Sequence, residues 1–216
     1  IQQDIPSLRL VIVSGEHCPA TLVKRWVRPG LRMLNVYGPT ETTVNATAWE
    51  CVSESPVKIG TPLPGYTTYI LDEDKQPVPT GEPGELYIGG CGVARGYLNQ
   101  IELSEKAFVH NSFDDSATLY RTGDRVHETD NGELIFHGRI DEQVKIRGYR
   151  IELGEIEAAL REHTAVSAAV VAVVDHTGTQ ELSAYVTPVS GNGDEIPRHE
   201  IQELLRKRLP SYMLPA

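Results

Sequence analysis

Apolar residues near the start of the chain form two short continuous runs with a helical pattern between them. Residues 8–14 (LRLVIVS) and 31–37 (LRMLNVY) are short and largely apolar, which predicts two buried strands. The intervening residues 19–27 begin with proline and place three apolar side chains on one helical face, namely Leu22, Val23 and Trp26. A strand, a helix and a strand in direct succession predict one βαβ step of a parallel sheet. Ligands of such sheets bind beyond the carboxyl ends of the strands, where residues 14–16 and 37–41 lie.

From about residue 57 to residue 139 the pattern changes to short apolar segments separated by glycine, proline and acidic turns. Segments such as GELYIGG, TLYRTGD and GELIFHGR have the spacing of an antiparallel sheet, so we predict a barrel or a sandwich. A single helix, opened by Ser104 in the segment SEKAFV, is expected to interrupt this sheet.

The residues after Arg139 predict a small α+β unit. Residues 143–152 predict a hairpin, residues 166–175 and 181–188 predict two strands, and a closing helix begins at Pro197. A further helix is indicated by an apolar stripe made of Leu153, Ile156 and Leu160. The predicted fold class is therefore α/β and α+β, with a boundary near 139–142. The end of a parallel α/β region runs to about residue 56, a β-barrel-like subdomain completes residues 1–139, and a small C-terminal domain occupies residues 140–216.

Composition and charge exclude several classes of protein. The 216 residues are 40% hydrophobic and 23% charged, as in ordinary globular proteins. The formal net charge of −10, without a cluster of Lys and Arg, argues against a nucleic-acid partner. We find no apolar run long enough for a membrane helix, and we expect a cytoplasmic protein. The three cysteines lie far apart without C-x-x-C spacing, so neither a disulfide framework nor a zinc site is predicted.

The glycine-rich segment GGCGVARG (89–96) invites comparison with phosphate-binding loops. It lacks the Lys-Ser/Thr pair of a Walker loop, and no long helix is predicted after it. No acidic residue ends a following strand, as a dinucleotide-binding fingerprint requires. We therefore interpret this segment as a structural turn after the strand ELYI.

Four further motifs occur in the order in which one enzyme family carries them. They are NVYGPTE (35–41), GELYIGGCGVARGYLN (84–99), YRTGD (120–124) and GRIDEQVKIRGYRIELGEIE (138–157). Together they resemble the core motifs of the adenylation domains of nonribosomal peptide synthetases, which belong to the adenylate-forming superfamily. The resemblance covers essentially the whole chain. It implies that a phosphate loop lies upstream and that a catalytic lysine lies shortly beyond the final LPSYMLPA, so we expect an incomplete enzyme.

The resemblance implies an ATP- and Mg²⁺-dependent activity that forms an aminoacyl-adenylate and pyrophosphate. Tyr37 would stack on adenine and Asn35 would bind its edge, with Gly38 in the same nucleotide-binding segment. Thr40 would contact phosphate and Glu41 would hold Mg²⁺, an assignment that suits a hard cation with a preference for carboxylate oxygen. Taken alone, the same segment is equally compatible with a solvated Gly-Pro turn.

Other motif positions extend the implied nucleotide site. Gly15 and Glu16 would line the adenine, Asp124 would accept hydrogen bonds from ribose hydroxyls, and Arg139 would donate to ribose or phosphate. Arg150 would approach phosphate in one conformation of the enzyme. The alternative interpretations are that Asp124 only caps a turn and that Arg139 only forms a surface ion pair. The motif positions implied for the amino-acid pocket would fit a medium-sized uncharged side chain, and they are Ile12, Ser14, Val36, Val44 and Asn45.

The resemblance also implies a second half-reaction with a peptidyl carrier protein. The small domain of the family swings between two poses, with Asp141 at the hinge and Gly148 leaving room for the carrier's phosphopantetheine arm. Two rival interpretations remain. One is an acyl-CoA or D-alanine–carrier-protein ligase, and the other is a degenerate, non-catalytic adenylation-like module.

Overall fold

A computed structural model describes residues 5, 7–52, 56–114, 118–176, 179–189 and 197–216. The chain divides into two compact units, Ile1–Asp141 and Glu142–Ala216, and each is described by itself. In the described part of the chain, no helix is long and apolar enough to cross a membrane.

The first unit begins with a four-stranded sheet in the order β1-β2-β3-β4. Its elements are β1 (Leu10–Val13), α1 (Ala20–Trp26), β2 (Arg32–Tyr37), β3 (Thr47–Glu50) and β4 (Thr61–Pro62). β1 and β2 are parallel, which confirms the predicted βαβ step, and the remaining pairs are antiparallel. Helix α1 buries Val23 against the sheet residues Met33 and Trp49, together with Cys18 and Cys51. This apolar contact fixes the helix on one face of the sheet.

An antiparallel sheet of five strands completes the first unit. Its elements are β5 (Tyr66–Leu71), β6 (Gly84–Gly90), α2 (Ile101–Ala107), β7 (Phe108–His110), β8 (Thr118–Glu128) and β9 (Leu134–Arg139). The order is β5-β6-β8-β7, and β9 pairs with another part of the long strand β8. Leu86, Ile88 and Val126 form its core with Tyr37, so the end of β2 packs on this sheet. The prediction of antiparallel strands is confirmed.

The predicted start of the lone helix at Ser104 is wrong, because α2 begins at Ile101. Ser104 lies inside the helix, and its hydroxyl donates to the backbone oxygen of Gln100 at 2.7 Å. The hydroxyl oxygen of Ser104 also accepts the backbone N–H of Tyr97 at 2.8 Å. The Ser104 hydroxyl thus provides a hydrogen-bond partner for the backbone of the loop that precedes the helix. Serine can form such local bonds from within a helix as well as from its cap.

The second unit packs two helices against a two-stranded sheet. Its elements are β10 (Val144–Ile146), β11 (Tyr149–Ile151), α3 (Leu153–Arg161), β12 (Val166–His176), β13 (Thr179–Pro188) and α4 (Arg198–Arg208). The predicted stripe on α3 is buried and packs with residues of β12 and α4. β10 and β11 are joined by Arg147 (φ 53°) and Gly148 (φ 78°), the left-handed pair that a two-residue hairpin turn requires. The predicted α+β organisation is confirmed.

Candidate functional site

β2 ends at Tyr37, and a tight turn carrying Thr40 and Glu41 follows directly. Gly38 and Pro39 break the strand, and the next three residues form a single turn of 3-10 helix. Glu41 is buried in this turn with 8% of its surface exposed, whereas Thr40 is exposed. Both residues therefore lie beyond the carboxyl end of a strand in a parallel pair, where such sheets bind ligands.

The backbone of this turn is tightly constrained. A Cβ at position 38 would lie 2.7 Å from the nitrogen of Ala46 and from the oxygen of Val44, so only glycine fits. Thr43 (φ 59°) and Val44 (φ 70°) adopt a left-handed conformation that is unfavourable for β-branched residues. The N–H of Ala46 donates to the oxygen of Tyr37 at 2.8 Å and closes the reversal. Strained backbone held in this way is common at functional sites.

Tyr37, Asp124 and Arg139 form a buried network beside the turn. The Tyr37 hydroxyl donates to Oδ2 of Asp124, and Nη1 of Arg139 donates to Oδ1 at 2.8 Å. The register of β8 and β9 places Asp124 directly opposite Arg139, so the pairing follows from strand alignment. Asp124 is only 2% exposed. Hydrogen bonds to a charged acceptor are strengthened in such surroundings.

The environment keeps both partners of Asp124 protonated at neutral pH. Burial raises the pKa of the Tyr37 hydroxyl well above its usual value, and the charge of Asp124 raises it further. Burial alone would lower the pKa of the Arg139 guanidinium, but its hydrogen bond to Asp141 and the charges of Asp124 and Asp141 raise the pKa overall. Asp124 is therefore held between two stable donors.

Arg139 also binds the last residue of the first unit. Nε donates to Oδ1 of Asp141 at 2.6 Å, and Nη2 donates to Oδ2 at 2.5 Å. Nη1 donates in addition to the backbone oxygen of Thr122 at 3.0 Å. Gly123 leaves room for this arrangement, since a Cβ there would lie 2.7 Å from Nη2 of Arg139. The guanidinium is thus held in one orientation between a buried and an exposed carboxylate.

Asn35, predicted to bind the edge of adenine, is buried, and its amide donates to the oxygen of Lys58 at 2.7 Å. Gly15 and Glu16, predicted to line the adenine, follow β1 and are exposed. Because side chains alternate along a strand, Asn35 and Tyr37 lie on one face of β2 and Val36 lies on the other. The predicted nucleotide and pocket residues of β2 therefore occupy opposite faces.

The pocket positions divide between the strand pair and the turn. Ile12 lies opposite Leu34 in the register of β1 and β2 and therefore shares a face with Val36. Val36 is buried, whereas Ile12 is 58% exposed. The other three positions are exposed residues that follow β1 or lie in the turn, namely Ser14, Val44 and Asn45.

Two predicted site residues belong to the second unit. Arg150 lies on β11 opposite Lys145 and is half-buried. Gly148 occupies the exposed hairpin turn. Their proposed roles toward phosphate and toward the carrier's prosthetic arm stay predictions.

Comparison with known proteins places the chain in a family. A model described as AMP-binding enzyme matches residues 1–98, and one described as AMP-binding enzyme C-terminal domain matches residues 155–216. The chain belongs to the AMP-binding enzyme family. The resemblance inferred from the four motifs is confirmed.

Several relatives of this AMP-binding enzyme are components of biosynthetic systems. One component of the linear gramicidin synthase of Brevibacillus parabrevis is 50% identical, and the match covers 100% of this chain and 3% of that protein. Novobiocin biosynthesis protein H of Streptomyces niveus is 44% identical, over 98% of this chain and 35% of that protein. The chain therefore spans only a small part of these relatives.

Solved structures of adenylation domains have a similar fold. The adenylation domain AlmE of Vibrio cholerae, in complex with glycyl-adenosine-5'-phosphate, is 29% identical with a TM-score of 0.85. That match covers 98% of this chain and 41% of AlmE. PA1221, an NRPS protein containing adenylation and PCP domains, is 29% identical with a TM-score of 0.82, over 96% of this chain and 42% of that one.

One residue that contacts the site in this AMP-binding enzyme was not singled out from the sequence. The Tyr97 hydroxyl donates to Oε1 of Glu41 at 2.5 Å. Tyr97 lies in the motif GELYIGGCGVARGYLN, but it is 56 positions away from Glu41. No local pattern relates residues so far apart. From the sequence, Tyr97 could be linked to the site only through its position in a second family motif.

Proposed function

We propose that the chain is part of an amino-acid adenylation domain of a nonribosomal peptide synthetase. With ATP and Mg²⁺ it would form an aminoacyl-adenylate and pyrophosphate, and it would then pass the aminoacyl group to a peptidyl carrier protein. The observation that carries the proposal is the buried Tyr37–Asp124–Arg139 network beside the Glu41 turn. A probable nonribosomal peptide synthetase and a tripeptide synthetase among the relatives support the same reaction class.

The donor set fits a nucleotide bound with a divalent cation. Glu41 offers carboxylate oxygen, which Mg²⁺ prefers, and Mg²⁺ commonly takes its other ligands from phosphates and water. Asp124 is an acceptor suited to ribose hydroxyls, and a carboxylate can accept more hydrogen bonds than the two that it receives here. Arg139 supplies a fixed fork of donors.

In the proposed reaction, a carboxylate oxygen of the amino acid attacks the α-phosphorus of ATP. A bond forms between that oxygen and the α-phosphorus, and the bond to the oxygen bridging the α- and β-phosphorus breaks and releases pyrophosphate. The bound cation would neutralise negative charge on the phosphates. The chain's own residues orient the nucleotide through Asp124 and Arg139, and Thr40 donates its hydroxyl to phosphate. Positioning and charge stabilisation supply most of the catalysis in such phosphoryl chemistry.

The test is amino-acid-dependent exchange of pyrophosphate into ATP by the intact protein. Glu41→Gln should lower this exchange at least tenfold, because a neutral amide is a poor ligand for the cation. Glu50→Gln makes the same change at an exposed carboxylate paired with Arg32 and should leave exchange close to wild type. Wild-type exchange in Glu41→Gln would refute the metal assignment. No exchange in the unmodified protein with any amino acid would favour the degenerate module, and exchange only with D-alanine or fatty acids would favour the rival ligases.

We further propose that Asp141 is the hinge for carrier loading. It is the last residue of the first unit, and both of its carboxylate oxygens accept hydrogen bonds from Arg139. Asp141→Pro would fix φ near −65° and restrict the rotation, whereas Asp141→Ala removes the ion pair and leaves φ free. Asp141→Pro should therefore keep most of the exchange activity but lose at least tenfold in loading of the carrier thiol. Equal losses in both assays would remove Asp141 from the mechanism.

A further inference from the structure

The glycine-rich segment after β6 holds the Glu41 turn in place. The N–H of Ala94 donates to the backbone oxygen of Glu41 at 2.8 Å. The hydroxyl of Thr43 donates to the backbone oxygen of Gly92 at 2.8 Å. The interpretation of this segment as a structural turn is therefore incomplete, because it contacts the turn that carries the proposed metal ligand.

Tyr97 directly follows this segment and contacts the Glu41 carboxylate itself. Its hydroxyl donates to Oε1 at 2.5 Å, within the range of a charge-assisted bond. Its ring packs edge-on against Phe108 with centroids 5.3 Å apart, and Phe108 packs on Tyr120 at 5.2 Å. The backbone N–H of Tyr97 donates to Ser104. The ring and the backbone are both fixed, so the hydroxyl is presented to Glu41 from a defined position.

A tyrosine hydroxyl that faces a carboxylate acts as the hydrogen-bond donor. A second tyrosine supports the same turn in a different way, since the Tyr66 hydroxyl donates to the backbone oxygen of Thr42 at 2.8 Å. Tyr66 and Tyr97 thus make similar bonds to adjacent residues, but only Tyr97 binds the carboxylate.

We propose that Tyr97 is a positioning residue for the divalent cation. Its hydrogen bond holds the Glu41 carboxylate in the orientation in which that carboxylate would ligate the cation. This inference rests on the proposed function, in which Glu41 ligates the cation. A carboxylate on a short turn can rotate, and each rotation presents a different oxygen and direction to a metal. The bond to Oε1 selects one orientation. Hydrogen bonds to ligating side chains typically change metal affinity about 10–100-fold.

The test compares Tyr97→Phe with the matched control Tyr66→Phe in the intact protein. Both changes remove one hydroxyl that bonds to the same turn, and both retain the aromatic ring. Binding of Mn²⁺ is measured by electron paramagnetic resonance in the presence of a non-hydrolysable ATP analogue, which needs no turnover. Tyr97→Phe should weaken Mn²⁺ binding about tenfold or more and raise the Mg²⁺ concentration needed for half-maximal exchange. Tyr66→Phe should leave both close to wild type.

The KM for the amino acid separates positioning from general damage. It should stay unchanged in Tyr97→Phe, and the thermal midpoint should fall no further than in Tyr66→Phe. Wild-type Mn²⁺ binding in Tyr97→Phe, alongside weakened binding in Glu41→Gln, would overturn this inference and leave the proposed function standing. Unchanged Mn²⁺ binding in Glu41→Gln as well would overturn both.

A second variant covers the case in which Tyr97→Phe does not fold. Ser104→Ala removes the acceptor of the Tyr97 backbone N–H and leaves the tyrosine hydroxyl in place. It should weaken Mn²⁺ binding in the same direction by a smaller factor, with the KM for the amino acid unchanged. Mn²⁺ binding equal to wild type in Ser104→Ala would overturn the part of the inference that assigns the position of the hydroxyl to the backbone bond with Ser104.

Discussion

Replacing Arg139 with methionine tests whether the buried network around Asp124 depends on its charged partner. The side chain of Arg139 is 12% exposed and that of Asp124 is 3% exposed, so the pair is almost completely removed from water. Methionine has a similar length and keeps part of the packing, but it cannot donate to Asp124. Within the part of the chain that the structure describes, the buried carboxylate would then keep Tyr37 as its side-chain donor.

The expected loss of stability follows from how deeply each ion pair of Arg139 is buried. Removing one partner from a buried ion pair costs about 3–5 kcal/mol, because the other charge is left uncompensated. The second ion pair of Arg139, to Asp141, contributes much less, since Asp141 is 50% exposed and exposed pairs are worth about 0–1 kcal/mol. We therefore expect Arg139→Met to lower the free energy of unfolding by about 3–5 kcal/mol, mostly through Asp124.

Urea unfolding of the chain measures this loss, with Asp141→Asn as the control for the exposed pair. Asp141→Asn should cost no more than about 1 kcal/mol. Adding Asp124→Asn to Arg139→Met removes the uncompensated charge and should restore at least about 1 kcal/mol. If Arg139→Met is as mild as Asp141→Asn, or if Asp124→Asn makes the double variant still less stable, the reasoning from burial is refuted.

Three further predictions concern the same region. Asp124→Ala should weaken ATP binding by about 2–4 kcal/mol while leaving the affinity for the amino acid nearly unchanged, and separate binding titrations would show a structural role if both fall equally. The raised pKa of Tyr37 means that its contribution to stability is complete below about pH 10, the usual value for tyrosine, and is lost as the pH rises above it. The difference in unfolding free energy between wild type and Tyr37→Phe should therefore shift against wild type above about pH 10, and a constant difference would contradict this. Gly38→Ala should destabilise the chain by about 1–3 kcal/mol in thermal unfolding, because the new methyl meets the backbone of Ala46 and Val44, and an unchanged midpoint would show that the turn relaxes.

Hydropathy patterns predicted the elements of this fold well, because each depends on neighbouring residues. The parallel step from β1 to β2 follows from two short continuous apolar runs, and the apolar stripe of α3 follows from the helical periodicity of 3.6 residues. The hairpin turn at Arg147 and Gly148 follows from the need for left-handed backbone. The start of α2 was wrong because Ser104 can bond within a helix or at its cap, and only the preceding loop decides which.

The candidate site was predictable only through its motifs. Tyr37 and Asp124 are separated by 87 positions, and no local pattern indicates that the hydroxyl of one meets the carboxylate of the other. The resemblance gave each residue a separate role toward ATP, but it did not predict that Tyr37 and Arg139 would bind Asp124 directly. Such contacts arise from the pairing of β8 with β9 and from the packing of β2 on the second sheet. Both are properties of the tertiary fold.

This network also bears on how a nucleotide would bind. Asp124 receives one hydrogen bond on each oxygen, from Tyr37 and from Arg139, and a carboxylate offers about four acceptor sites. Acceptor sites of the carboxylate are therefore left for ribose hydroxyls, although Asp124 itself is only 2% exposed. The two existing bonds would then hold the carboxylate in place before ATP arrives, which lowers the entropic cost of binding. In this view the bonds that stabilise the first unit are the same bonds that prepare it for its substrate, so Asp124 and Arg139 cannot be assigned to folding or to function alone.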